Sequence, residues 1–446
     1  MEMDGKDSFI GRLLGSAEKF TPEQVTQTVQ LLLEHGVKWQ ASDIHVEPHD
    51  EYVLVRYRID GNLRSAHKIP RRALEAIIAQ FKSLASLDTG ETHTPQQGNF
   101  QITIQDQTFD IRLTTMPVYG GEKVVLHLTT EARAPIVLKQ IGFWGKNLTA
   151  IQNALARGHG MIIVSAPKHH GRPTTQASML AALNNPGLNI ATIEESIEYR
   201  IPHASQTAIS VRNGLTMYKG LQAALHQDPN ALLVGNLVDK ATAELSIESA
   251  MTGHLLVAGM HSDSAASALL HLRALQIPTY LTATSTRIVT AQRLVRKLCE
   301  HCRERRAITP EQLERMQQAF GITTPAAFKR IHELETEAIT QDIGSDNRPS
   351  TTTKSITHVW VPHREGCEVC NHTGYKGRVA LTEALPISEG VQKSLLDPET
   401  TAAALQSRAI KEDGFIPLAL DGIIKGLRGR VSIQDVLLVA STGALK

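Results

Sequence analysis

Four cysteines stand in two identical spacings, Cys299-x2-Cys302 and Cys367-x2-Cys370, and they are all the cysteines of the chain. A CxxC knuckle lets two thiolates grip one cation, and two knuckles complete a tetrahedral shell. Soft sulfur ligands suit zinc. With every ligand position taken by protein, the expected ion is structural rather than catalytic. Four reduced thiols packed for their own sake are the alternative. A second group of residues could handle anions and protons. Lys168, His169, His170 and Arg172 crowd the turn after the apolar run Met161–Ser165. Such a cluster at a helix start can hold an anion, or it can be a solvated loop. Glu194 and Glu195 end the run Ile190–Glu194, with Glu198 close behind, and His254 and His261 flank the run Leu255–Gly259.

These residues need elements to hold them. The runs Met161–Ser165, Ile190–Glu194, Ala231–Gly235 and Leu255–Gly259 alternate with longer helical stretches, which predicts a parallel sheet flanked by helices. Upstream, 52–59 alternates with period two and then meets Asp60-Gly61, a hairpin turn. Phe100–Ile104, Gln107–Thr114 and Lys123–Leu128 are further strand candidates, 71–87 a helix, and 1–35 two amphipathic helices. The second helix begins at Thr21-Pro22, with Gln24 completing a capping box. Residues 303–357 are polar, and the Ser/Thr/Asn-rich stretch Gly344–Ser355 predicts a mobile loop. The tail beyond 388 reads as helical. At 446 residues the chain has room for about three domains. A hydrophobic content of 41% supports ordinary cores and excludes wholesale disorder. Lys+Arg of 46 against Asp+Glu of 45 leaves a net charge of +1, which argues against a protein that coats nucleic acid or anionic membrane. No apolar run reaches the roughly 18–20 residues that span a bilayer. The opening residues MEMDGKDSFIGRLLG lack a long apolar core, so no secretory signal is expected and the cytosol is the expected compartment.

Read together, the motifs resemble those of the secretion ATPases of type II secretion and type IV pilus assembly. The residues are Ser42-Asp-Ile-His-Val-Glu-Pro48, Val55-Arg-Tyr-Arg-Ile-Asp-Gly61, Phe109-Asp-Ile-Arg112 with Thr114-Thr-Met-Pro117, and Gly121-Glu-Lys-Val-Val-Leu126. Thr192-Ile-Glu-Glu195, Glu198-Tyr-Arg200, Gln227-Asp-Pro229, Leu232-Leu-Val-Gly235, Thr252-Gly-His254, Met260-His261 and Ala291-Gln-Arg-Leu-Val-Arg296 follow in order, and then the cysteine pairs. The resemblance runs from about residue 40 to the end. It implies an α/β fold: N-terminal helices over 1–35, a PAS-like α+β domain over 36–130, a linker over 131–140 and a RecA-like P-loop NTPase domain over 141–298. A tetracysteine zinc arm over 299–378 and a helical region over 379–446 would complete it. The family's longer N-terminal docking domain is expected to be absent or reduced to the first helices.

The chain departs from the family at its catalytic positions. In the phosphate loop, Ala166 and His169 stand at glycine positions and Gly171 keeps its own. Arg172 stands for the lysine and Pro173 for the Ser/Thr. A planar guanidinium does not replace a compact ammonium. Proline offers neither a hydroxyl to magnesium nor an N–H to phosphate, although it starts a helix well. The hydroxyl of Thr174 is displaced by about 100° around that helix. Asn236 stands where the family has a water-activating glutamate, and an amide cannot take a proton as a carboxylate does. Val238, His127, Gln222 and His226 stand where basic residues are usual. Retained positions are Glu194, Glu195, His254 and His261, together with Arg58 and Arg112, which in the family would reach a neighbouring site's phosphates. For each, a plain reading competes: interior histidines, strand-end carboxylates, interface ion pairs.

The expectation is a hexameric motor-family subunit that is catalytically impaired and serves as a structural or regulatory part of a secretion or pilus machine. It would act alone or with an active paralogue, beside an inner-membrane platform protein, cytoplasmic and peripheral to that membrane. ATP and magnesium stay open as ligands, with Gly171, Arg172, Thr174, Arg58 and Arg112 as vestigial contacts. The alternative is a slow ATPase with an unorthodox loop. A nucleic-acid-binding zinc module, suggested by Arg293, Arg296, Lys297, Arg303, Arg305 and Arg306, is disfavoured because aromatic stacking partners make up only 4% of the chain.

Overall fold

The computed structural model describes residues 20–130, 134–210, 213–344 and 346–440. The first of the two expected N-terminal helices, and residues 131–133 of the expected linker, lie outside them. The chain divides into two units, 1–133 and 134–446.

The first unit opens with α1 (Pro22–Lys38). Its start is the expected capping box: the Thr21 hydroxyl accepts from the Gln24 N–H and the Gln24 side chain accepts from the Thr21 N–H. Six strands follow: β1 (Asp43–Pro48), β2 (Tyr52–Ile59), β3 (Asn62–Pro70), β4 (Gln96–Ile104), β5 (Gln107–Val118) and β6 (Gly121–Thr130), with α2 (Leu74–Leu84) between β3 and β4. They pair antiparallel in the order β3-β2-β1-β6-β5-β4. Asp60 and Gly61 both take positive φ, as the two-residue β2–β3 turn requires. Alternation sends Ile44, Val46, Val55, Tyr57, Leu113 and Leu126 into one core with Val29 and Leu32 of α1 and Ile77 and Phe81 of α2. The opposite face carries Asp43, Glu47, Arg56, Arg58, Arg112 and His127.

In the second unit a turn at Leu138–Ile141 precedes α3 (Gly145–Ala156), β7 (Gly160–Ser165), α4 (Arg172–Leu183), β8 (Ile190–Glu194), β9 (Ala204–Ala208) and α5 (Met217–Leu225). Then come β10 (Ala231–Val234), α6 (Lys240–Met251), β11 (Leu255–Met260), α7 (Ala265–Ala274), α8 (Thr279–Ser285) and β12 (Thr286–Leu298). Strands β7, β8, β10 and β11 are buried along their whole length, as a sheet covered on both faces demands. Met161 and Ile163 enter one core while Ile162 and Val164 enter the other.

Two expectations are corrected here. The four expected strands do pair parallel, but the sheet as a whole is mixed: its order is β15-β12-β7-β11-β10-β8-β9, and β15 (Tyr375–Pro386) runs antiparallel to β12 at the edge. The stretch from 379 therefore starts as strand, and only then come α11 (Glu389–Leu395), α12 (Ala402–Asp413), α13 (Leu418–Leu427) and α14 (Ile433–Ala440). Its Ala- and Leu-rich composition reads as helix, but pairing with β12 and burial of both faces override local propensity. Between β12 and β15 lie the hairpin of β13 (Glu304–Ala307) and β14 (His358–Val361) and the helices α9 (Pro310–Phe320) and α10 (Pro325–Thr340). Within the stretch expected to be mobile, residues 346–355 are irregular but anchored. Ser350 and Thr351 are buried on the Glu335 carboxylate, and Arg428 donates to the carbonyls of Ile343, Asp346 and Arg348. No helix among the described residues is long and apolar enough to cross a membrane.

Candidate functional site

In an open α/β sheet, side chains that follow the carboxyl ends of the strands converge on one crevice. Here the residues after β7, β8, β10 and β11 do so. Helix α4 starts there: Gly171 caps it at a φ of +79° and Pro173 fills its first turn. His169 also takes a left-handed φ of +65°, so the loop keeps a backbone shape that glycine would hold at lower cost. The loop is pinned to β12. Gln292 accepts from the Thr175 hydroxyl at 2.6 Å and donates to the His170 carbonyl at 2.7 Å, and the Leu294 N–H donates to His170 Nδ1 at 2.9 Å.

Arg172 turns inward and is buried, at 9% exposure. Its Nη1 donates to Asn236 Oδ1 at 3.0 Å and meets His261 Nε2 at 3.2 Å. His261 Nδ1 lies 3.0 Å from the Ala166 carbonyl. That contact fixes the tautomer, with the proton on Nδ1 and the lone pair on Nε2 facing the guanidinium. Burial, with Arg172 adding to it, holds the His261 pKa below its ordinary value, which agrees with a neutral ring. Burial also disfavours the Arg172 charge, while Glu195 and Glu198 support it. Asn236 Nδ2 reaches Glu195 Oε1 at 3.4 Å. Glu194 is raised by burial, which outweighs hydrogen bonds from Thr192 and Gln206.

The structure thus brings Gly171, Arg172, Pro173, Asn236, Glu195 and His261 together. Thr174 is engaged elsewhere, its hydroxyl 2.8 Å from that of Tyr199. His254 is not in the crevice. It sits at the opposite end of β11, roughly 20 Å along the strand, with Nδ1 against Ser249 O at 3.1 Å. Arg58 and Arg112 belong to the first unit, in one cross-strand row Arg58–Asp43–His127–Arg112. Asp43 takes the charge of Arg58 at 3.2 Å and His127 at 3.0 Å, and the carboxylate is held down to about 2, burial being outweighed by these partners. Sequence reasoning missed Gln292 and the Asp43 hub. Gln292 had one signal, a polar residue inside an apolar strand.

The four cysteine sulfurs lie within 4.8 Å of one another. The Cys299–Cys367, Cys302–Cys370 and Cys367–Cys370 sulfur pairs are each 3.8 Å apart. A tetrahedron with metal–sulfur bonds of about 2.3 Å has edges of about 3.8 Å, so the set is spaced to hold a metal ion. N–H groups of Cys367 and Gly374 point at Cys370 Sγ, each at 3.2 Å. Burial works against ionising Cys370, but these donors bring it to about 6. The nearby basic residues do not form an open patch. Arg293, Arg296, Lys297, Arg305 and Arg306 each face a carboxylate, and Arg303 stacks over Trp360.

The family model described as "Type II/IV secretion system protein" matches residues 18–438. The chain is similar to type II secretion system protein E of Aeromonas hydrophila, 32% identical over 93% of this chain and 75% of that protein. It is similar to the type IV pilus assembly ATPase PilB of Pseudomonas aeruginosa, 30% identical over 95% of this chain and 70% of that protein. In fold it resembles the ATPase DotB of Legionella pneumophila, with a TM-score of 0.61 at 16% identity, covering 96% of this chain and 98% of that one. With motifs matched along both units, the chain belongs to the type II/IV secretion system protein family.

Proposed function

We propose that the chain is a motor-family subunit of a type II secretion or type IV pilus system whose nucleotide chemistry is disabled, and that it serves as a structural or regulatory part of a hexameric ring. In this reading the second unit is a RecA-like domain, the first is PAS-like, and the ring contains either this chain alone or an active paralogue. It works in the cytoplasm against an inner-membrane platform protein. The observation that carries the reading is the buried Arg172–Asn236 bond. A magnesium–ATP complex does not fit the residues present. The guanidinium is held against Asn236 and His261 beyond the strand ends, Pro173 supplies no hydroxyl, and the amide at 236 is no base. Zinc does fit the four cysteines, where it would tie Cys299 and Cys302 to Cys367 and Cys370.

The test is ATP turnover by the purified protein, alone and mixed with an active paralogue. The expected rate for the chain alone is background. Turnover above background, abolished by Arg172→Ala, would overturn the reading. It would favour instead a slow ATPase, to which the retained left-handed backbone at His169 and Gly171 lends support.

A further inference from the structure

The departures at 172 and 236 are not two independent losses. The side chains touch, and they do so through complementary groups: an amide oxygen accepts from a guanidinium N–H. The same Nη1 faces the lone pair of His261, whose other nitrogen ties to Ala166, while Asn236 continues the chain of contacts to Glu195. One buried cation therefore joins the segments that follow β7, β8, β10 and β11. Glu195 and Glu198 favour its charged form.

We infer that Arg172 is the resident cation of this site, a clamp that closes the strand ends without any ligand. It takes the place that a divalent ion would hold among Glu195, Asn236 and His261. The clamp rests on the same Arg172–Asn236 bond as the proposed function, but its test needs no nucleotide. Two properties follow. The crevice is insensitive to divalent cations while Arg172 is present. Arg172 and Asn236 are also energetically coupled, so that Asn236→Glu strengthens the clamp by pairing with the guanidinium instead of restoring a catalytic base.

The experiment is thermal unfolding with and without manganese, for wild type, Arg172→Gln, Asn236→Glu and the double variant, with manganese binding read by the loss of its free paramagnetic resonance signal. Wild type is expected to bind no manganese at millimolar concentration and to keep its Tm. Arg172→Gln should lose about 4 °C, as for a buried charged hydrogen bond, and regain part of it with manganese. Asn236→Glu should raise Tm when Arg172 is present and lower it when combined with Arg172→Gln. Additive shifts, or manganese binding by wild type at the crevice, would overturn the clamp. Where Arg172→Gln does not fold, Arg172→Met takes its place in the same cycle, because it keeps much of the side chain's length and removes the charge. ATP turnover by wild type would sink the proposed function and leave this cycle to be judged on its own.

Discussion

At the scale of single residues, the polar groups that matter are those whose charge state the fold has chosen. His67 is the clearest. Its Nε2 lies 3.1 Å from His35 Nδ1 inside an aromatic cluster with Trp39 and Tyr57. Burial, with His35 adding to it, lowers its pKa to about 4. The unfolded chain, near 6.5, therefore binds the proton more tightly than the folded one. Stability is complete above about pH 6.5 and falls as pH drops towards 4. A loss of about 1–2 kcal/mol between pH 7 and pH 5 is expected from this residue. Chemical denaturation of wild type and His67→Gln at both pH values checks it, and equal losses in the two proteins would refute the assignment. The sequence sets Arg172, Pro173 and Asn236 where departures from the family pattern are expected. It could not reveal that two of them meet, because 64 residues separate Arg172 from Asn236 and only the sheet brings them together.

At the scale of elements, buried ionic groups do the joining. Asp421 on α13 accepts from the Trp144 indole at 2.6 Å and the Thr382 N–H at 2.7 Å, and pairs with Lys425 at 2.6 Å. Asp421→Ala would strand a buried ammonium, and about 3–5 kcal/mol of stability is the expected cost. Retention of wild-type stability in urea denaturation would contradict it. Glu383 on β15 accepts from the N–H groups that begin α7 and α13, so one carboxylate satisfies two helix starts. These contacts explain why β15 was illegible in the sequence. Its Thr382 and Glu383 look like solvent-facing residues until partners far along the chain are known. By contrast β2, β7, β8 and α1 were legible, because periodicity, full burial and a capping box are local signals. At the cysteine cluster, Cys302→Ser should abolish metal retention and lower the Tm of the second unit by at least about 5 °C. Zinc quantified by a colorimetric chelator after unfolding checks it, and a protein that carries no metal yet keeps its Tm would refute the assignment.

At the scale of the whole molecule, each unit draws its cores from its own stretch of chain: residues 25–126 for the first, 138–436 for the second. Two calorimetric transitions are therefore expected. His67→Gln should move only one of them and chelation only the other, and a single transition displaced by both treatments would contradict this. The overall α/β architecture was readable from alternating apolar runs, whereas the antiparallel edge was not, since nothing local in β12 or β15 names its partner. That edge has a kinetic meaning. Strands β12 and β15 can align only after the chain between them has closed into a loop, and the entropy of that closure must be met before any strand contact forms. The cysteine pairs sit at the base of this loop, directly after β12 and directly before β15. A metal bound there early would bring the two strands into reach before the rest of the sheet exists. Its imprint would then fall on how fast the second unit refolds, with the unfolding rate changing less.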